Sequence, residues 1–174
     1  EPLHQAKEQA FGPLTWAVCG GAHVERALID DLELFGITVL QGYGISECGP
    51  LISVNATGSN RPGSVGHVIP SCQVRFEEEE VLVRSRCVMK GYYKAPKLTA
   101  DCFTDGWFHT GDLGYLDRDG FLFITGRKKN LIVFKNGKKL SPESLECQLN
   151  ALPLVREVVV TGAVNGSATD DVKV

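Results

Sequence analysis

The tightest constraint on the fold is a glycine-punctuated order of apolar blocks near the start of the chain. Leu14-Thr15-Trp16-Ala17-Val18-Cys19 has the length and character of a buried strand and closes on Gly20-Gly21. The next block, Val24 to Phe35, carries apolar residues at 24, 27, 28, 32 and 35, the spacing of one helical face. Gly36 is placed to stop that helix. Ile37-Thr38-Val39-Leu40 reads as a second strand. Strand, helix and strand in this order imply a crossover and a parallel pair, so an all-helical or all-antiparallel fold is excluded for this part.

From Gly63 to about Thr125 the texture changes to short β-type runs: Gln73–Phe76, Val81–Arg84, Gly106–His109, Tyr115–Leu116 and Phe121–Thr125. Asp117-Arg118-Asp119-Gly120 is a hairpin signal between two of them. Glu77–Glu80 reads as a solvated hairpin tip. A helix is expected over Ala95–Cys102 with Pro96 in its first turn. Such a run of strands suggests a small barrel or sandwich. Beyond a junction at 126–139, Ser141-Pro142-Glu143-Ser144 announces a helix with Ser141 as N-cap and Leu145, Leu149 and Leu152 as its stripe. Val155–Thr161 reads as a strand, and 165–174 shows no clear element. The expected class is α+β: a βαβ fragment over 1–60, a small distorted β-barrel subdomain over 61–127, and the beginning of a small α/β domain over 128–174.

Composition narrows the function. Eighteen basic against 21 acidic side chains give a net charge of −3, which makes no electrostatic case for nucleic acid. No apolar run is long enough to span a bilayer. Glu1-Pro2-Leu3-His4 has neither the basic start nor the apolar stretch of a signal peptide. Cys19, Cys48, Cys72, Cys87, Cys102 and Cys147 form no CxxC pair, so a zinc site is not expected and thiols in a reducing cytosol are the simplest reading.

Three stretches can carry chemistry. Gln41-Gly42-Tyr43-Gly44-Ile45-Ser46-Glu47 follows a strand. Two glycines around Tyr43 let a ligand approach the backbone and leave the ring exposed, and a ring, a hydroxyl and a carboxylate in sequence suit a base, a phosphate and a metal ion. A turn with a packed Tyr43 and a capping Ser46-Glu47 fits equally. Trp107-Phe108-His109-Thr110-Gly111-Asp112 ends a strand on a carboxylate that can accept two ribose hydroxyls, or make an Asx-turn. His109 reads as a packed histidine. Finally, Arg127, Lys128, Lys129, Lys135, Lys138 and Lys139 place six cations in 13 residues. That run is either a solvated surface or a phosphate-facing junction, and Leu131-Ile132-Val133-Phe134 within it reads as a buried strand.

In this order and at these separations, Gly-Tyr-Gly-Ile-Ser-Glu, Trp-Phe-His-Thr-Gly-Asp-Leu-Gly and Gly-Arg-Lys-Lys-Asn-Leu-Ile-Val…Asn-Gly-Lys-Lys-Leu-Ser-Pro-Glu resemble the adenylate-forming superfamily of acyl-CoA synthetases, luciferases and peptide-synthetase adenylation domains. Gly20-Gly21-Ala22 and Arg61-Pro62-Gly63-Ser64-Val65-Gly66 resemble its intermediate motifs, and the likeness runs from about Leu14 to Thr161. The Arg-Lys-Lys-Asn-Leu-Ile-Val form looks most like long-chain fatty-acid–CoA ligases.

The resemblance implies ATP, AMP, Mg²⁺ and CoA as ligands and a fatty acid as substrate. It implies that Tyr43, flanked by Gly42 and Gly44, lies against adenine, that Ser46 bonds the phosphate where many relatives carry Thr, and that Glu47 helps hold Mg²⁺. It puts Asp112 on the ribose with Arg127 in support, and Gly20, Gly21 and Ala22 along the adenine and acyl pocket. Lys129 matches a hinge where many relatives carry Asp, and Gly137 the glycine passed by pantetheine. The family's phosphate loop and its C-terminal adenylation lysine are not among these residues, so the resemblance implies a piece of a longer enzyme that is itself inactive. Peripheral membrane contact of such a parent is compatible with the reading. The alternatives are an acyl-AMP ligase or carrier-loading domain, and, from another class, a polyanion-binding module that uses the basic run.

Overall fold

The computed structural model describes residues 2–22, 24–134, 136–150, 152–164 and 169–173. The chain is α+β and divides into two compact units: Glu1–Arg75 with Leu82–Thr110 and Leu116–Phe123, and Phe76–Val81 with Gly111–Tyr115 and Ile124–Val174. No described helix is long and apolar enough to cross a membrane.

The first unit opens with helix α1 (Pro2–Phe11), which the sequence reading did not anticipate. Strand β1 (Trp16–Gly20), helix α2 (Arg26–Leu34) and strand β2 (Thr38–Gly44) follow, and β1 pairs with β2 in parallel, Trp16 opposite Thr38 through Gly20 opposite Gly42. The βαβ expectation holds. The expectation of a buried first strand does not: Trp16 is 53% and Val18 59% exposed. Strand β1 ends the sheet, so only one of its edges is paired. Strands β3 (Leu51–Val54) and β4 (His67–Val68) complete the order β1-β2-β3-β4, both added antiparallel. Ile29, Ile37, Val39 and Ile52 are buried beside this sheet; Ile29 lies outside the expected helical stripe, of which Ala27 and Leu28 are exposed.

Behind β2 and β3 lies a polar core. Asn55 Nδ2 donates to the Gln41 and Ser64 carbonyls, and its Oδ1 accepts the Arg61 backbone N–H. Arg61 in turn reaches Asp117 and, at 2.7 Å, Asp119, with its guanidinium 4.4 Å above the Phe121 ring. The hairpin tip expected at Asp117–Gly120 is therefore pinned by a residue far upstream.

Strands β5 (Cys72–Glu77) and β6 (Glu80–Ser85), helix α3 (Pro96–Asp101), strands β7 (Phe103–Thr104), β8 (Trp107–Leu116) and β9 (Leu122–Arg127) come next. The sheet order is β5-β6-β8-β7, with β9 also on β8. Two expected strands, Gly106–His109 and Tyr115–Leu116, are one continuous strand. The β5–β6 tip carries positive φ at Glu78 (47°) and Glu79 (68°), the signature of a two-residue hairpin turn.

In the second unit a 3₁₀ turn (Lys128–Asn130) leads to strands β10 (Ile132–Val133) and β11 (Lys139–Leu140), an antiparallel pair, then helix α4 (Pro142–Asn150). Of the expected buried strand 131–134, only Ile132 is buried. Ser141 does not cap through a backbone N–H; its hydroxyl is bonded to Glu143 and to the Thr125 carbonyl. Strand β12 (Thr161–Val164) starts where the expected strand was to end, because the Val160 N–H goes to the Glu146 carboxylate and not to a ladder. Strand β13 (Thr169–Lys173) pairs with β12 in a stretch read as featureless; Lys135 and residues 165–168 lie outside the described residues.

Candidate functional site

The candidate residues fall into two groups, one in each unit. In the first, Gly42, Tyr43 and Gly44 are the last residues of β2, not a turn after it. Central strands leave no room for side chains between backbones. A Cβ on Gly44 would overlap the Pro50 carbonyl, and one on Gly42 would lie 3.3 Å from the Ser53 oxygen. Gly20 is held against Gly42 in the same way, at 3.2 Å. Tyr43 alternates inward with Gln41 and Val39, and at 9% exposure its ring is packed, contrary to the exposed ring expected from its glycine neighbours. Gly21 and Ala22 lie exposed after β1.

After β2 the chain enters a 3₁₀ turn, Ser46–Cys48, with Ser46 exposed and Cys48 buried. The Glu47 carbonyl accepts the Met89 N–H at 2.7 Å, and its Oε1 accepts the Tyr92 hydroxyl at 3.0 Å. The Tyr92 backbone N–H is bonded to Thr99 Oγ1. Burial, with the Glu47 carboxylate beside it, pushes the Tyr92 phenol up to about 12, so it is a permanent donor. Sequence reading missed Tyr92; nothing in the Gly91-Tyr92-Tyr93 run tells which tyrosine turns inward. Cys48 is likewise pushed up to about 12 by burial and is not a nucleophile.

In the second unit, Asp112 sits within β8, its side chain 5% exposed, and accepts Arg127 Nε at 2.8 Å. The carboxylate is thus inside the strand and not at its exit. Next to it, Glu80 Oε1 accepts the Gly111 N–H at 3.1 Å and Oε2 accepts Lys128 Nζ at 2.7 Å. That bond raises the Lys128 ammonium's pKa, with burial opposing it and Glu80, Glu78 and Glu77 adding to it. Glu80 was read as part of a solvated tip. The turn's two central positions are Glu78 and Glu79, which makes Glu80 the first strand residue and sends it inward; the two-residue turn rule was the signal available.

Part of the basic run is paired: Arg127 is bonded to Asp112, Lys128 to Glu80, and Lys139 Nζ lies 3.9 Å from Glu78. Lys129 is exposed in the 3₁₀ turn, and Gly137 is exposed between β10 and β11. His109 is half-buried and not the packed histidine expected; its Nε2 lies 2.9 Å from Thr104 Oγ1 in an exposed contact. Among the described residues no group of three or more His, Cys, Asp or Glu could hold a metal ion by itself.

A family model described as AMP-binding enzyme matches residues 1–93. The chain is 43% identical over 147 residues to the long-chain-fatty-acid–CoA ligase FadD15 of Mycobacterium bovis, covering 84% of this chain and 24% of that protein. It is 33% identical to the long-chain-fatty-acid–CoA ligase of Escherichia coli O157:H7, over 94% of this chain and 31% of the relative. The chain therefore spans only about a quarter to a third of the curated relatives' length. Among solved structures, the o-succinylbenzoate CoA synthetase of Bacillus subtilis in complex with its acyl-adenylate superposes with a TM-score of 0.80 at 29% identity, over 90% of this chain and 35% of that one. The family model matches more than half of the chain, and the chain belongs to the AMP-binding enzyme family.

Proposed function

We propose that the protein carrying this chain is an ATP-dependent acyl-CoA synthetase acting on a long-chain fatty acid. In the first step a carboxylate oxygen attacks the α-phosphorus of ATP and pyrophosphate leaves, giving acyl-AMP. In the second, the CoA thiolate attacks the acyl carbon and AMP leaves. The observation that carries this reading is Asp112, a carboxylate buried on β8 and oriented by Arg127, in a chain of the AMP-binding family. Identity to a long-chain-fatty-acid–CoA ligase supports the substrate class.

Side chains have little covalent work in such a reaction; they position groups and offset charge. Asp112 accepts the ribose hydroxyls while Arg127 fixes its orientation. Gly20, Gly21 and Ala22 with the Gly42–Gly44 strand border adenine and the acyl group, where the absence of side chains allows close approach. Tyr43, packed inward on the same strand, is the ring we set against adenine. Ser46 donates to a phosphate oxygen. Glu47 fits Mg²⁺, which typically takes one or two carboxylates together with substrate phosphates and not an all-protein cage; the Tyr92 hydroxyl fixes that carboxylate through Oε1. When bound, the ion would neutralise phosphate charge. Lys129 is the hinge for a rotation between the two steps, and Gly137 borders the pantetheine path. We place the reaction in the cytoplasm, where ATP, CoA and reduced thiols coexist.

The test is ATP–pyrophosphate exchange by the full-length protein with a fatty-acid panel, followed by thioester assays with CoA and with a carrier protein. Exchange at background with every fatty acid would sink the first step; transfer to carrier protein alone would replace CoA as acceptor. Lys129→Pro, which fixes φ near −65° and disfavours helical geometry before it, should leave acyl-AMP formation and depress thioester formation. Equal damage from Lys129→Ala would remove the hinge role.

A further inference from the structure

We propose that Thr99 is a positioning residue for divalent-cation binding: its hydroxyl holds the Met89–Tyr92 segment in the register from which Tyr92 orients the Glu47 carboxylate. The proposal rests on the reading of Glu47 as a Mg²⁺ ligand and goes beyond it by assigning the residue that keeps that carboxylate's partner in place.

Glu47 is bonded twice to one short segment. Its carbonyl accepts the Met89 N–H at 2.7 Å, and its Oε1 accepts the Tyr92 hydroxyl at 3.0 Å. Met89 to Tyr92 lie between β6 and α3 and belong to no strand, so no ladder sets their position. Helix α3 sets it instead. The Tyr92 N–H donates to Thr99 Oγ1 at 2.9 Å, and that hydroxyl donates onward to the Ala95 carbonyl at 3.0 Å. The Ala95 N–H returns to the Tyr92 carbonyl at 3.2 Å. The bonds close on Tyr92, so the peptide groups on both sides of it are fixed. The Thr99 hydroxyl is the side-chain member of a ring otherwise made of backbone.

Packing points the same way. A Cβ on Gly91 would stand 2.7 Å from Thr99 Cγ2 and 2.9 Å from Oγ1, so the segment lies flush against this threonine and has no room to slide toward it. The Tyr92 hydroxyl is also bonded to the side chain of Cys102, the residue that closes α3, so the helix bears on both the backbone and the tip of the tyrosine. The ring between them is rigid. A small rotation of the Tyr92 backbone therefore sweeps the hydroxyl through a larger arc, and a hydrogen bond weakens steeply once it is misaligned.

The experiment titrates manganese ion into the full-length protein with ATP present and reads the free ion by electron paramagnetic resonance. Thr99→Val keeps the shape of the side chain and removes the hydroxyl. It should weaken the ion about fivefold, the worth of one hydrogen bond. Thr99→Ser keeps the hydroxyl and should bind the ion as the parent does. In a Tyr92→Phe background the bond to Glu47 is already absent, so Thr99→Val should weaken the ion no further there. A threonine that serves the fold alone would lower affinity equally in both backgrounds. Unchanged affinity in Thr99→Val, no recovery in Thr99→Ser, or additive losses with Tyr92→Phe overturns the proposal. Where Thr99→Val does not fold, Thr99→Ala removes the same hydroxyl and is read in the same way; if neither folds, Thr99 serves the fold and the proposal falls. Glu47→Gln separates the two layers: if that variant binds manganese as the parent does, the reading of Glu47 itself has failed.

Discussion

The end of β2 and the Glu80–Asp112 pair on β6 and β8 are built by opposite means. At Gly42–Gly44 selection is steric: backbone faces backbone, and the Pro50 carbonyl fills the space a side chain would need. At Gly111–Asp112 selection is electrostatic: two buried carboxylates are matched with two cations, and the space at Gly111 is open, with nothing within 4 Å of where a Cβ would stand. The lesson is that identical residues are glycines for different reasons, so the same substitution should fail by different amounts.

Gly44→Ala against Gly111→Ala is the sharpest test of that contrast. At Gly44 the added methyl must displace backbone at the point where the β2–β3 register already shifts, between Tyr43 and Gly44. Overpacking of this kind should cost about 3 kcal/mol. At Gly111 the methyl meets nothing, and the cost is the left-handed φ alone, about 1 kcal/mol. Melting temperatures of the two full-length variants should therefore differ clearly, Gly44→Ala lower. Equal losses would mean that the Gly44 strand yields freely and that steric selection is not what this glycine does.

Asp112→Ala probes the electrostatic side. It removes an acceptor for bonds worth about 1.5–3 kcal/mol each when a charge is involved, so AMP affinity should fall by about tenfold or more per lost bond. Stability should change little, because Arg127 is half exposed and re-enters water. Calorimetric titration with AMP and a thermal melt read the two quantities. Unchanged affinity with a lowered melting temperature would recast Asp112 as a structural carboxylate.

What the sequence let one read follows the same division. The βαβ opening was legible because strand and helix periodicities are local. The same holds for the Asp117–Gly120 hairpin and for Pro96 at the start of α3. Strand β8 was split in two because Thr110-Gly111 looks like a break; it continues because Gly111 finds Glu80, thirty-one residues away. Lys128 and Glu80 are separated by 48 positions, and Tyr92 and Glu47 by 45, so no spacing rule exposes them. The exposure of Trp16 and Val18 was illegible for another reason: apolar composition marks what a strand buries when covered, not whether anything covers it.

Tyr92→Phe should produce the smallest effect, and it tests whether the steric region also holds an electrostatic element. The substitution deletes one hydroxyl that donates to Glu47 Oε1 and keeps the ring. Glu47 is only partly buried, so water can replace the donor, and a net loss of about 1 kcal/mol is expected. Divalent-cation affinity in the presence of ATP should fall roughly fivefold, read by manganese titration with electron paramagnetic resonance. The pH dependence follows from the raised phenol. A folded value of about 12 against an ordinary 10.0 means that the bond's contribution is complete below the ordinary value and is lost only as pH rises through the folded one. The penalty of Tyr92→Phe should therefore be the same near neutrality and at about pH 9. A cation affinity unaffected by the substitution would leave Tyr92 a packing residue, and a penalty that vanishes by about pH 9 would mean that the phenol ionises far earlier than its burial beside Glu47 allows.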